Sequence, residues 1–370
     1  MKKRVKILVS ALAACALVVC IGGCASNVKT TGGDTQQATS TDTVSFTDSA
    51  GRQVDIPKDV ERVAGSGPIA QQILLTFAPE KMVGLSNSLS DDQAKYLGQQ
   101  YADLPVYGQM YGASLNKEAL ASANPQLIID IGEQKKGNVD DLNQLQDELG
   151  VPVIYIASDL ESMSSTYQML GQVLGNTDRA NQISDYCTQK YSMIKDGMSK
   201  IPDDQRIKLL YCLGDSGTNV IGKGSYHAEV LEMIGDNVAV IDGVSSKGTG
   251  NQVSLEQINN WNPQMIIFGP DSVYGSVKTT DGWNTLSAVQ NDNYYEVPDD
   301  PYNWMGMPPS INSYMGMQWL ARLCYPSTFT YDMYQTTAEY YKLFYQYDLT
   351  QADYDQLTAN CQVKNLANAA

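Results

Sequence analysis

The chain has 370 residues, of which 25 are lysine or arginine and 41 are aspartate or glutamate, giving a formal net charge of −16 at pH 7. So acidic a chain repels polyanions, which excludes functions built on binding nucleic acid. Its length exceeds what one hydrophobic core comfortably supports and predicts two domains of ordinary size.

Residues 1–23 have the parts of an export signal. The cationic start MKKRVK is followed by the apolar run ILVSALAACALVV and by the small residues IGGC, which end at Cys24. The apolar run has 13 residues, fewer than the ~20 that a membrane-spanning helix needs. It resembles a bacterial lipoprotein signal, which implies that Cys24 carries lipid and anchors the mature protein to the outer side of the cell membrane. An ordinary secretory signal with an incidental Cys24 is the alternative.

Residues 24–43 predict a flexible tether. The stretch SNVKTTGGDTQQATSTDT lacks aromatic residues and has almost no branched apolar ones, so it cannot bury enough surface to offset the entropy of ordering. Removal of the signal takes away four basic residues and no acids, which changes the formal charge from −16 to about −20.

Residues 44–157 predict a first α/β lobe. SFTDSAGRQVDIP has the pattern of a hairpin. Short apolar runs then alternate with helical stretches and end in glycine, serine or polar loops: RVAGS, MVGLS, LPVYG, QLIIDIG and VPVIYIA. Strands that alternate with helices indicate a mostly parallel sheet.

Residues 158–202 predict the linking helices. Ser158 and Glu161 have the spacing of a capping box, which predicts a helix start. A second helix is predicted from Thr177, because apolar residues recur at helical spacing up to Pro202, which ends it. Its roughly 24 residues would span about 36 Å, long enough to join two lobes.

Residues 203–370 predict a second lobe of the same kind with terminal helices. Its strand candidates are IKLLYCLG, NVIGKG, NVAVID, QMIIFGP and YYEVP. Five aromatic residues near the end have helical spacing and predict a last helix packed on the second lobe: Tyr340, Tyr341, Phe344, Tyr345 and Tyr347.

One segment occurs in both halves. EALASANPQLII in the first half corresponds to EQINNWNPQMII in the second, and in each a glutamate, Glu118 or Glu256, stands seven residues before the proline. The same helix, turn and strand therefore recur once per half. The sequence predicts two Rossmann-like lobes joined by a single long helix, with a ligand cleft between the lobes at the carboxyl ends of the strands.

The order of several segments resembles the substrate-binding lipoproteins of ABC importers, of the type that binds iron complexes, haem and vitamin B12. These segments are TDSAGRQVDIPKDVERV, KMVGLS, NKEALASANPQLII, VIGKGSYHAEVLEMIGDNVA, VSLEQINNWNPQMII, PYNWMGMPPSINSYMGMQWLARLCYP and the tail EYYKLFYQYDLT. The resemblance implies a monomer that hands its ligand to a dimeric permease with separate ATPase subunits.

The resemblance also implies a role for the repeated glutamates. Glu118 and Glu256 would each form salt bridges with arginines of one permease subunit. A glutamate early in a helix is also favoured by the helix macrodipole, which needs no partner. Docking is the interpretation that accounts for the matched spacing in both halves.

The histidine content limits the ligand. His227 is the single histidine, so a bare zinc or manganese site built from several imidazoles cannot form. We expect no cofactor of the protein's own and a ligand that brings its own coordination sphere: a ferric siderophore, haem or a corrinoid. A metal oxyanion remains an alternative.

Candidate ligand contacts come from the loops after strands, where aromatic faces and methionine sulfur suit a large, partly apolar chelate. They are Ser66, Asn87, Tyr107, Tyr111, Tyr226, His227, Tyr274, Trp304, Met305 and Met307. Proteins that resemble the PYNWMGMPPS stretch often have arginine immediately before the two prolines, where this chain has Met307. This departure weakens the case for a strongly anionic catecholate siderophore.

Two sequence features bear on whether the chain is an enzyme. GDSG, at 214–217, imitates a serine-protease string, but it follows a strand as a turn, and its Ser216 lies only 11 residues before His227, the single histidine. No phosphate-binding GxxxxGK[ST] motif occurs. We therefore expect no enzyme. A surface-anchored scavenger or sensor that binds the same ligand without transport is the alternative from another class.

Four cysteines remain beyond Cys24 in the mature chain and show no CxxC spacing: Cys187, Cys212, Cys324 and Cys361. Buried free thiols are the expectation, and a pairing of Cys324 with Cys361 is the alternative.

Overall fold

The computed structural model describes residues 42–361 apart from Gly112, Lys135 and Lys136. The predicted export signal, the lipidation site at Cys24 and nearly all of the predicted tether lie outside the described residues. The described residues belong to one compact unit. Within them, no helix has the length and apolar character needed to cross a membrane.

The strands are β1 Thr43–Thr47, β2 Gln53–Pro57, β3 Val63–Gly65, β4 Leu127–Gly132, β5 Val153–Ala157, β6 Lys208–Leu213, β7 Asn219–Val220, β8 Asp236–Asn237, β9 Asn251–Gln252, β10 Met265–Phe268 and β11 Tyr294–Glu296. The helices are α1 Pro68–Phe77, α2 Asp91–Leu97, α3 Gln99–Ala102, α4 Lys117–Ala123, α5 Asn138–Leu149, α6 Met163–Leu174, α7 Thr177–Met198, α8 Glu229–Ile234, α9 Leu255–Trp261, α10 Ser287–Gln290, α11 Ser313–Cys324, α12 Met333–Tyr345 and α13 Gln351–Leu357.

The first lobe contains a parallel sheet in the order β3-β4-β5, preceded by the predicted antiparallel hairpin of β1 and β2. Two parallel bridges, Val63 with Met82 and Leu85 with Val106, extend the sheet beyond β3. The predicted runs MVGLS and LPVYG therefore join this sheet through single bridges. Strands alternate with helices as the sequence predicts.

The second lobe contains the sheet β11-β10-β6-β7-β9, with β8 paired to β6. Strands β6, β10 and β11 are parallel to one another, whereas β7 runs antiparallel to β6. One continuous hydrophobic core contains residues of both lobes, including Ile129 of β4 and Tyr211 of β6. The two-lobe α/β prediction is confirmed.

The long helix α7 joins the lobes. It has 22 residues, which corresponds to about 33 Å. Its buried face includes Ile183 and Cys187, both fully buried, as the helical spacing predicts. The helix ends at Met198, slightly earlier than predicted, where the Ser199 N–H donates to the Lys195 carbonyl oxygen.

The predicted capping box of Ser158 and Glu161 is wrong. Ser158 continues the extended chain of β5, because its N–H donates to the Gly132 carbonyl oxygen at 3.0 Å. The next turn is closed by Asp159 and Ser162, each of whose side chains accepts the other's backbone N–H. Helix α6 therefore begins only at Met163.

The aromatic stripe of the last long helix packs differently from the prediction. The Phe344 ring lies 6.3 Å from the ring of Tyr167 in α6 and 5.4 Å from that of Tyr186 in α7. The Tyr341 ring lies 5.3 Å from that of Tyr96 in α2. Because α12 contacts α1 as well as α11, it bridges the two lobes rather than covering the second lobe alone.

The thiols agree with the expectation. Cys187, Cys212, Cys324 and Cys361 are free and buried. The Cys361 thiol contacts the Glu296 carbonyl oxygen and the Cys324 thiol contacts the Met265 sulfur, so the alternative pairing of Cys324 with Cys361 is not formed.

Candidate functional site

A cavity of about 450 Å³ lies between the two lobes. The first lobe contributes the ends of β3 and β4, the start of α1 and the loop that carries Gln109 and Tyr111. The second lobe contributes Tyr226, His227 and Ser246. This is the edge at which ligands bind in parallel α/β sheets.

The turn from β3 into α1 forms one wall of the cavity. Gly65 is needed there, because a Cβ atom would lie 3.0 Å from the backbone nitrogen of Gln71. The Ser66 N–H donates to the Ile129 carbonyl oxygen at 3.1 Å. Gly67 precedes α1 without a side-chain cap, and Pro68 opens the helix. The amino-terminal end of α1 therefore opens at the cavity.

Asp130 forms the floor of the cavity. It is the half-exposed residue of β4, whose other five residues are buried. Its carboxylate accepts hydrogen bonds from the Ser66 hydroxyl and, at 3.1 Å, from the Tyr111 hydroxyl. Partial burial, together with the Asp130 carboxylate, raises the pKa of Tyr111. The Tyr111 hydroxyl thus keeps its proton and remains a donor.

The second lobe places Tyr226 and His227 on one short turn. The Ser225 hydroxyl accepts the His227 N–H at 3.2 Å. The Tyr226 hydroxyl crosses to the first lobe and donates to the Ser158 carbonyl oxygen at 2.6 Å. A Cβ atom on Gly248 would lie 3.0 Å from His227 Cε1 and 3.4 Å from the Met307 sulfur. The absence of a side chain at Gly248 therefore leaves room for His227 and Met307 beside it.

A second cavity of about 390 Å³ adjoins the first, with Gly132, Glu133 and Tyr226 lining both. Its acidic members include Asp159, Glu229 and Glu232. The Leu160 N–H donates to the Glu229 carboxylate at 3.3 Å. Burial, reinforced by the Asp159 carboxylate, raises the pKa of Glu229 to about 7.

The charged residues of the cavity walls are acidic. The six carboxylates are Asp130, Glu133, Asp141, Asp159, Glu229 and Glu232. Neither lysine nor arginine occurs among the described residues that line these two cavities. Lys135 and Lys136 follow Gln134 in the sequence and lie outside the described residues. Even with both lysines counted, six carboxylates against two ammonium groups leave a formal excess of four acids.

The structure brings four of the ten predicted contacts to the first cavity and places two more near residues that line it. Four of them line the first cavity: Ser66, Tyr111, Tyr226 and His227. The Met307 sulfur and the His227 ring both lie next to Gly248. Asn87 accepts a hydrogen bond from the side chain of Gln109, which lines the cavity, at 3.4 Å.

The other four predicted contacts lie elsewhere, and these predictions are corrected. Tyr107, Trp304 and Met305 are each 1% exposed and belong to the hydrophobic core. The Tyr107 hydroxyl donates to the Gly65 carbonyl oxygen. Tyr274 is partly buried against the second-lobe core, and its hydroxyl donates to the Asn360 carbonyl oxygen. Packing inside each lobe explains these side chains.

Sequence reasoning missed the acidic side chains of the cavity. Asp130 was detectable, because a lone carboxylate interrupts the buried run LIIDIG and such a group needs partners or solvent. Glu133 and Asp141 gave no comparable signal, since charged residues in loops and on helix surfaces are ordinary.

The repeated glutamates occupy equivalent, exposed positions. Glu118 is the second residue of α4 and Glu256 is the second residue of α9. Each helix is capped by a side chain, from Asn116 in α4 and from Ser254 in α9. Both helices end in an asparagine with left-handed backbone, at 124 and 262, before β4 and β10. The sequence repeat is therefore a repeat of structure.

Two α/β lobes with a ligand cleft between them are the architecture of periplasmic binding proteins, and the family model with the description "Periplasmic binding protein" matches residues 63–301. The chain belongs to this family. It is 24% identical over 335 residues to the ABC transporter substrate-binding lipoprotein YvrC of Bacillus subtilis, covering 89% of this chain and 99% of YvrC.

Two further proteins are similar. A solved ABC transporter solute binding protein from Sulfurospirillum deleyianum superimposes with a TM-score of 0.79 at 26% identity, covering 85% of this chain and 99% of that one. The molybdate-binding protein MolA of Haemophilus influenzae is 25% identical over 191 residues, 50% of this chain and 52% of MolA. The chain is thus an extracytoplasmic substrate-binding protein of the ABC-transporter type and is not an enzyme.

Proposed function

We propose that this protein captures a metal chelate and delivers it to the permease of an ABC importer. The chelate is a ferric siderophore, haem or a corrinoid. The observation that carries the proposal is the cavity of about 450 Å³ between the lobes, which shares lining residues with a second cavity of about 390 Å³. Such volumes hold a molecule of drug size rather than a bare ion.

The lining supports a ligand that arrives with its metal already coordinated. The phenol rings of Tyr111 and Tyr226 supply flat surface. His227 is the single histidine of the chain. Among the described residues, no group of three or more histidine, cysteine, aspartate or glutamate side chains is arranged to hold a metal ion.

Native mass spectrometry of the protein purified from its own host tests the ligand. We expect a retained molecule whose isotope pattern contains iron or cobalt. A retained metal-free molecule, such as a sugar or a peptide, would contradict the proposed ligand class.

We further propose that Glu118 and Glu256 dock the two lobes onto the two permease subunits. Both side chains are exposed on the opening turns of equivalent helices, as a two-fold permease requires. The paired substitution Glu118→Lys and Glu256→Lys should abolish uptake, because it replaces each attraction to an arginine by repulsion. Chelate affinity should stay within about threefold, since neither residue lines the cavity.

The matched control is Asp178→Lys with Asp196→Lys, which makes the same charge change at two exposed positions of α7. Uptake should survive it. If chelate affinity falls as far as uptake in the Glu118 and Glu256 variant, docking is the wrong role. If the variant leaves uptake intact, these glutamates play no part in delivery. That result would favour the alternative of a lipid-anchored scavenger or sensor that is not coupled to transport.

A further inference from the structure

The Asp130 carboxylate accepts hydrogen bonds from two hydroxyl donors of the cavity, Ser66 and Tyr111. The amino-terminal end of α1, a helix of 10 residues, opens at the cavity and has no acidic residue in its first turn. Helix amino termini and nearby hydroxyl donors attract anions. Here the neighbouring donor, the Ser66 hydroxyl, already bonds to the Asp130 carboxylate, and the Ser66 N–H is taken by Ile129.

The second donor at this position is taken in the same way. The Tyr111 hydroxyl donates to the other oxygen of Asp130 at 3.1 Å. A ligand anion that approached Ser66 or Tyr111 would have to displace a resident carboxylate or stand beside it. Like charges at such short range repel, and the repulsion grows as the cleft excludes water.

The other charged side chains that line the two cavities are also negatively charged. Glu133 and Asp141 line the first cavity with Asp130, and three further carboxylates line the adjoining one. Asn138, also in the first cavity, has an amide nitrogen without a hydrogen-bond partner among the described residues. An uncharged acceptor on a ligand satisfies this donor without adding negative charge.

We infer that the cleft selects a chelate of net positive charge over neutral and anionic ones, and that Asp130 is the residue that sets this selectivity. The inference rests on the proposed function and narrows its ligand class. Ferric hydroxamates with an ammonium arm and corrinoids with aquo ligands meet the requirement. Catecholate siderophores, haem with its two propionates, and oxyanions such as the molybdate of MolA do not.

Matched pairs of chelates, which differ in charge on one scaffold, provide the test. Ferrioxamine B carries an ammonium group that N-acetylferrioxamine B lacks, and diaquacobinamide is cationic where dicyanocobinamide is neutral. Titration calorimetry at low ionic strength on the full chain in detergent should show the cationic member of at least one pair bound about tenfold more tightly. Molybdate and ferric enterobactin should not bind.

The variant Asp130→Asn loses the charge and keeps a carbonyl oxygen that accepts from one of the two hydroxyls, while its amide NH2 faces the other. It should reduce the preference within the pair to less than about threefold. Asp196→Asn, the same charge change at an exposed position of α7, should leave the preference intact. Should Asp130→Asn fail to fold, Glu133→Gln is the second variant, since Glu133 is exposed and lines both cavities. It should lower the preference about threefold.

The outcomes separate the two proposals. The charge selectivity is overturned if neutral or anionic chelates bind more tightly, or if both variants keep the wild-type preference. The proposal that the protein imports a chelate is unaffected by either result. Binding of molybdate without any chelate overturns both. Binding of none of the probes overturns the charge selectivity, because the two cationic probes represent the two chelate classes that the cleft is inferred to accept.

Discussion

The hydroxyl of Tyr226 in the second lobe donates a hydrogen bond of 2.6 Å to the carbonyl oxygen of Ser158, at the end of the first lobe's sheet. Burial raises the pKa of Tyr226, so the donor keeps its proton throughout the physiological range. This bond crosses the cleft at a residue shared by both cavities. It connects the ligand site to the relative position of the lobes.

Tyr226→Phe should therefore loosen the cleft. Loss of one buried hydrogen bond should lower the free energy of unfolding by about 1 kcal/mol, measured by urea denaturation. The radius of gyration of the ligand-free protein, measured by small-angle X-ray scattering, should rise slightly and return to the wild-type value with ligand. Tyr191→Phe, on the partly exposed face of α7, is the control. An unchanged stability would show that water replaces the bond without loss.

Glu229 predicts a pH dependence of stability. Its pKa is raised from 4.5 to about 7, so between these values the folded protein binds a proton that the unfolded chain releases. The free energy of unfolding therefore falls as pH rises from about 4.5 to about 7, and the loss is complete above that range.

Glu229→Gln removes this loss while keeping an acceptor for the Leu160 N–H. The melting temperature of the variant should match that of wild type near pH 4.5 and exceed it at pH 8. Glu80→Gln, an exposed residue outside both cavities, should show no such divergence. If the melting temperatures of Glu229→Gln and of wild type change in parallel between pH 4.5 and pH 8, Glu229 is not the source of the pH dependence.

Phe344 ties the last long helix to the rest of the molecule. It is 2% exposed and its ring packs near those of Tyr167, Tyr186 and Tyr340. Phe344→Ala should lower the free energy of unfolding by about 3–5 kcal/mol, because it removes a large buried ring. Unfolding by urea should remain a single transition, since the core is continuous between the lobes.

The partly exposed Tyr347 gives the comparison. Tyr347→Ala, which loses one ring contact to Tyr96, should cost less than half as much. Two separated transitions in Phe344→Ala would mean that α12 holds together lobes that fold independently.

The predicted lipid on Cys24 determines where the mature chain is located in the cell. If Cys24 carries the lipid anchor, Cys24→Ser should release the mature chain from the membrane fraction into the soluble extracytoplasmic fraction, with its fold unchanged by circular dichroism. Membrane retention of the variant at wild-type level would identify the segment as an uncleaved anchor, and a wild-type chain already in the soluble fraction would identify it as an ordinary signal. Cys187→Ser serves as the control, because that thiol is buried in α7.

The sequence by itself determined the α/β class, the two lobes, the joining helix and the equivalent positions of Glu118 and Glu256. Each of these depends on local periodicity, on strand and helix length, or on a repeated string, and such signals are encoded within short windows. The buried state of the thiols followed from their type and their lack of pairing motifs.

Only the tertiary structure decided which residues face the cleft. Tyr107 and Tyr111 are four residues apart and alike in chemistry, yet one is packed in the core and the other bonds to Asp130 at the cavity. Likewise, helical spacing showed that α12 buries one face but not that this face contacts α1. Periodicity specifies which side of an element is buried, whereas the partner depends on contacts between segments distant in the chain.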